Sequence, residues 1–331
     1  MPDHAGGGTA QARRWAGKSD ILDRLDLSDL EREVAAFCRF FASMPTNPAE
    51  AMHGTVSHMH ALCAALARHP RELWRSPDIQ DVLQAAIRLQ AASPFVRRLR
   101  EWPRGYPGDF ETIELLVQGA ELPTGADPRS WIDWYALNTV IGQQHRNKIW
   151  WQYQRMSAVT PANILALGCG GGADFNLGPH RFERSHIVLL DLDQDALLLA
   201  EDRLRRYCDV RTICADVRRG LRKAQDDGPF ERVVCGGVFD YLDDRMIVVL
   251  LKDIRERLLS FRGSVLFTNI AEGNPFRCWM EAIANWHLIH RSEADIARLV
   301  AEAGFDLCGL RIARDATGLT LLVEVALDPL A

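Results

Sequence analysis

Asn163-Ile-Leu-Ala-Leu-Gly-Cys-Gly-Gly-Gly-Ala-Asp174 is the stretch that decides the reading of this chain. Its first five residues are a short apolar run that suits a buried strand, and glycines end it at once. Gly168 permits a sharp turn, Gly170 lets backbone approach a ligand directly, and Gly172 lets the following helix pack close. Backbone N–H groups at such a turn face an anionic or polar ligand. Residues 187–190 read as the next strand, closed by Asp191, whose carboxylate can accept both hydroxyls of a ribose. Strand, glycines, helix, strand and acid in that order predict a nucleoside across the strand tips.

The same grammar continues to the C-terminus. Further strands are expected at 210–214, 230–235 and 264–268, with helices at 195–207, 244–259 and 292–304. Ser292 and Asp295 have the spacing of a capping box. Strands alternating with helices define an α/β class with a mostly parallel sheet covered on both faces. Runs 305–314 and 319–326 are too close for a helical crossover, so they form an antiparallel hairpin. Asp216 ends the third strand, where an acid can receive the exocyclic amine of adenine. The spacing from Gly168 to Ala173 also suits a dinucleotide, but the closing hairpin and Asp216 lean away from one.

Upstream of residue 158 only helical periods occur. Ser28 with Glu31 suggests a capping box before an apolar face of Val34, Phe37, Cys38 and Phe41. Helices are expected over 48–68, from Ser76-Pro77 through Leu89, from Asp109 to Gly119, and as one long element over 131–156. This divides the chain into a flexible tail (1–18), an all-helical cap enclosing substrate (19–158) and a catalytic domain (159–331). The tail holds Gly6-Gly7-Gly8 and no apolar stretch of the signal-peptide kind. Trp74, Trp102, Trp131, Trp134, Trp150 and Trp151 fill gaps between helices, and an exposed tryptophan face would favour a homodimer.

Over 331 residues, 39 Lys and Arg face 44 Asp and Glu, a net charge of -5 that disfavours nucleic acid or a polybasic membrane anchor as partner. The 8 cysteines show no CxxC spacing, so neither a metal site nor a disulfide scaffold is expected, and the location is read as cytoplasmic. No run approaches the length of a membrane span.

On these residues, 162–326 resembles the class I S-adenosylmethionine-dependent methyltransferases. The glycine motif matches residues 166–172, the ribose acid Asp191 and the adenine-side acid Asp216. The resemblance implies a Rossmann-like sheet of seven strands in the order 3-2-1-4-5-7-6 with the last strand antiparallel, and S-adenosyl-L-methionine as cofactor. The fourth-strand motif falls on residues 235–241, which lack the Asn-Pro-Pro-Tyr or Asp-Pro-Pro-Tyr run of amine and nucleic-acid methylators. A narrower likeness covers residues 104–111, Asn269, Asn274-Pro275, Met280-Glu281 and residues 286–291. These are similar to bacterial proteins that make 3-hydroxypalmitic acid methyl ester, which implies methyl transfer to a fatty-acid carboxylate.

The resulting expectation is methylation of a small-molecule or acyl-chain substrate on a carboxylate or hydroxyl oxygen. Tyr241, just past the fourth strand, is expected beside the sulfonium through cation–π attraction or against the acceptor. Asn269, ending the fifth strand, would face the crevice. The rigid loop 104–111 would close over the cofactor, bringing Tyr106 and Arg104 to the methionyl end, while Asp109 caps the next helix. Asp240 is read as a helix cap. A hydroxyl acceptor needs a base, for which His287, His290 and His145 are candidates. Two other readings keep the cofactor: closure of the methionyl amine onto its own Cγ with release of methylthioadenosine, and a non-catalytic nucleoside-binding module.

Overall fold

Helix starts in the first half follow one chemical rule. In the computed structural model, which describes residues 26–328, Asn47, Ser76, Ser93 and Asp127 each cap a helix whose first residue is proline. The cap oxygen accepts from the first turn, and proline lacks only an N–H that had no helical partner. These helices are α2 (Pro48–Ala67), α3 (Pro77–Gln90), α4 (Pro94–Glu101) and α6 (Pro128–Asn138), preceded by α1 (Ser28–Ala42). Asp109 caps α5 (Phe110–Gln118) through the Thr112 N–H at 2.9 Å.

Several expectations are corrected here. The Ser28–Glu31 box does not form: Ser28 already lies inside α1, and its N–H goes to Asp26. The single helix over 131–156 is two, α6 and α7 (Val140–Ser157), broken where Thr139 is extended. Thr139 Oγ1 donates to Tyr135 O at 2.6 Å, and Gly142 has no Cβ to strike Leu137 O. Among the six tryptophans only Trp150 is exposed, so there is no tryptophan face. The expected tail lies outside the described residues.

The second half builds one sheet in the order β3-β2-β1-β4-β5-β7-β6. Its strands are β1 (Asn163–Leu167), β2 (His186–Asp191), β3 (Asp209–Cys214), β4 (Phe230–Cys235), β5 (Leu259–Ile270), β6 (Leu310–Arg314) and β7 (Thr320–Ala326). Pairing is parallel from β3 to β5, while β7 runs antiparallel to both β5 and β6. The central strands are apolar on both sides because helices cover both faces. One face packs on α10 (Asp244–Arg257) and α11 (Glu293–Glu302), the other on α8 (Gln194–Leu204) and the end of α7. The predicted capping box at Ser292 and Asp295 is present in α11. Two departures are local. Between β1 and β2 the chain makes 3-10 turns instead of a helix, and β6 starts at Leu310 because Asp306 caps a 3-10 turn before it.

The helical half and the sheet are joined by the segment after β5. Phe276, Trp279, Met280, Ile283 and Trp286 are buried in the same core as α1–α4 and α6. Trp279 Nε1 donates to Gln90 Oε1 at 2.7 Å, and Arg71 grips Glu281 with two bonds of 2.9 Å. At the segment's end Arg291, 2% exposed, donates to Phe239 O, Leu242 O and Asn269 Oδ1, and pairs with Asp244.

Candidate active site

A cavity of ≈ 530 Å³ opens at the C-terminal tips of β1, β2 and β4 and runs beneath α7. Its floor at one end is the glycine turn. Gly168 (φ 57°) and Gly170 (φ 53°) hold left-handed backbone that side chains disfavour, and both line the cavity. Asp191, 8% exposed, fixes this turn: Oδ2 accepts the Gly170 N–H at 2.8 Å and Oδ1 the Asp193 N–H at 3.0 Å. Burial raises its pKa, and the two N–H bonds work against that rise. Gly172 is not in the lining. It faces α8, where Ala200 Cβ is 3.2 Å from the position of a Cβ, so its role is packing. Asp216 reaches the cavity mouth but its carboxylate caps α9 (Val217–Lys223) through the Arg219 N–H at 3.1 Å.

The loop ahead of α5 forms the roof. Phe110 lies over Gly170, with Cβ 3.5 Å from the place a Gly170 side chain would start. Tyr106 lines the cavity and donates to Asp193 Oδ2 at 3.1 Å. Arg104 is corrected: it lies outside the lining, bound to Asp193 (2.7 Å), Asp195 (2.6 Å) and Glu111 (3.2 Å). With three carboxylates already on its guanidinium, it fastens the roof to the β2–α8 turn instead of meeting a methionyl carboxylate.

At the other end an aromatic chamber is made by Tyr106, Tyr241, Trp286 and His145. Trp286 Nε1 donates to Tyr241 Oη at 2.8 Å, and the His145 ring stacks on Trp286 with centroids 5.2 Å apart. Gly108 must be glycine here, because a Cβ would strike Tyr241 Oη. Both His145 nitrogens lack partners, and burial beside Lys148 and Arg146 holds its pKa well below 6.5. The unfolded chain therefore binds a proton below about pH 6.5 that the folded chain refuses, so this contribution to stability is full above pH 6.5 and lost on acidification. We expect the Tm of the wild type to fall more steeply below pH 6.5 than that of His145→Gln, measured by differential scanning fluorimetry.

Two further candidates are displaced. Asn269 is fully buried below the cavity, donating to Ile270 O and Ile289 O and accepting from Arg291. A strand-end amide was expected to face the crevice, but the returning segment 286–291 covers it. His287 and His290 point away from the cavity towards Arg71, Arg75, Arg277 and Glu281. Burial lowers both, His290 to about 4. Asp240 does not cap α10, which Asp243 does. Its Oδ1 accepts the Ile270 N–H at 2.7 Å while the residue lines the cavity.

The sequence reading missed three residues. Lys148 and Gln152 share with His145 the face of α7 that looks into the cavity, and Asp240 stands opposite. No pattern in the sequence singled them out, because polar residues are spread all round α7. Burial lowers the Lys148 pKa and pushes Asp240 up to about 6, each charge opposing the other's shift.

Residues 165–264 match the family model of a methyltransferase domain. Together with the seven-stranded sheet order, this gives the chain the class I, Rossmann-like methyltransferase fold, and the matched domain implies S-adenosylmethionine as cofactor. Among solved structures it is similar to a "possible exported protein" from Bordetella parapertussis, at 15% identity and TM-score 0.59, covering 83% of this chain and 96% of that one. It is also similar to magnesium protoporphyrin IX methyltransferase from Synechocystis with bound S-adenosylmethionine, at 14% identity and TM-score 0.39, covering 57% and 85%. No curated protein sequence matches the chain. No helix among the described residues is long and apolar enough to cross a membrane.

Proposed function

We propose that this protein transfers the methyl group of S-adenosylmethionine to an oxygen, carboxylate or hydroxyl, of a small acceptor with a large apolar part. The observation that carries this is one cavity joining the glycine turn and Asp191 to an aromatic chamber. Its volume suits a small-molecule site, typically about 300–1,000 Å³. The likeness of residues 104–111 and 286–291 to the proteins that make 3-hydroxypalmitic acid methyl ester supports an acyl carboxylate among such acceptors.

The cofactor, when bound, supplies an electrophilic methyl group on a sulfonium. Gly168 and Gly170 would let its adenosine half lie against backbone, Asp191 would hold the ribose, and Asp216 stands at the adenine end. Tyr106 and Tyr241 line the chamber and would hold the acceptor while keeping water out. His145, neutral and without a partner, would take the proton of a hydroxyl acceptor; a carboxylate needs none. Asn269, His287 and Arg104 receive no contact role. In this reading residues 19–158 form the enclosing unit and 159–331 the cofactor-binding unit, within a cytoplasmic enzyme.

The test is an acceptor screen with S-adenosylmethionine, scored by mass spectrometry. Release of S-adenosylhomocysteine that depends on an added acyl acid or alcohol is expected, with the methyl ester or ether as co-product. Methylthioadenosine as the sole nucleoside product would overturn the proposal.

A further inference from the structure

Two opposite charges are buried in the cavity wall and do not meet. Lys148 is 6% exposed and Asp240 2% exposed, and both line the cavity. Lys148 Nζ lies 3.2 Å from the point where a Cβ on Gly237 would stand, and Asp240 Oδ2 lies 3.9 Å from the same point. Between them is bare backbone. Lys148 has no hydrogen bond or ion pair among the described residues, and Asp240 uses only Oδ1, on the Ile270 N–H. Gln152 adds a second idle donor. Its buried Nε2 has no partner, and it sits 3.0 Å from the corresponding point on Gly236.

Buried charges kept apart in this way are costly unless a ligand joins them. A simple anion would satisfy Lys148 and crowd Asp240, and a simple cation the reverse. A group carrying both signs satisfies both. We infer that Lys148, Gln152 and Asp240 clamp the zwitterionic head of an α-amino acid over Gly236–Gly237, its carboxylate on Lys148 and Gln152 and its ammonium on Asp240. The inference rests on the S-adenosylmethionine reading above, since the glycine turn sets the other end of the same cavity. The head group could come from the cofactor's methionyl end or from an amino-acid acceptor.

Isothermal titration separates these. S-adenosylhomocysteine carries the head group and methylthioadenosine lacks it. With the cofactor as source, Lys148→Met should weaken S-adenosylhomocysteine at least ~30-fold and methylthioadenosine less than ~3-fold, a selectivity that only a contact to the head group produces. Asp240→Asn, which keeps an acceptor for Ile270, should lose at least ~10-fold with the same selectivity, and Lys148→Arg should restore most of the affinity. With an acceptor as source, wild-type protein saturated with S-adenosylhomocysteine should bind L-norleucine, and Lys148→Met should not. If folded variants change neither the S-adenosylhomocysteine to methylthioadenosine ratio nor norleucine binding, the clamp is wrong. If the wild type binds neither nucleoside, the cofactor reading itself fails.

Discussion

Asp191→Ala is expected to cut affinity for S-adenosylhomocysteine on the order of 100-fold, because hydrogen bonds to a charged group contribute roughly 1.5–3 kcal/mol. The carboxylate has two duties. It pins the Gly170 and Asp193 N–H groups, which shapes the turn, and it faces the cavity where a ribose would lie. Asp191→Asn keeps one acceptor oxygen and should lose less. Calorimetry on protein with an unchanged far-UV spectrum is the measurement. Unaltered affinity in Asp191→Ala would mean that no sugar sits at the tip of β2.

Replacing Arg291 by Met should produce the largest loss of stability, about 3–5 kcal/mol by urea unfolding, the range for breaking a buried charged network. One guanidinium ties Phe239 O and Leu242 O on either side of Asp240 and Tyr241, holds the Asn269 amide, and reaches Asp244. Methionine fills the volume but leaves those carbonyls unpaired. Nucleoside affinity should fall with stability, since the cavity wall between β4 and α10 is what the network shapes. A midpoint shift worth less than about 1 kcal/mol would show that water replaces these bonds at little cost.

The sheet was legible because its signals are local. Asn163 to Leu167 is apolar without a break, the glycines follow directly, and the short link at 315–318 leaves only a hairpin. Asp109 and Ser292 could be read as caps because capping needs only the next three residues. The site was less legible because its partners come from distant sequence. Arg104 looked free until the turn at Asp193 and Asp195 arrived beside it. Asn269 ends its strand as expected, yet the segment returning through Ile289 and Arg291 seals it over. Lys148 carried the opposite lesson. In sequence it is one more polar residue on a helix between Asn147 and Ile149, and only the packing of α7 over Gly236 and Gly237, just past β4, turns it inward. The break at Thr139 escaped notice because neither proline nor glycine marks it. The approach of Gly142 to Leu137 does, and that is a contact rather than a pattern.

The strap from Arg104 to Asp193 bears on timing as well as shape. Tyr106 and Arg104 both anchor on a residue two positions from Asp191, so the roof loop and the turn that Asp191 shapes share one anchor. We expect a nucleoside held at this turn to leave only as these contacts part, the kind of step that sets the turnover of many enzymes.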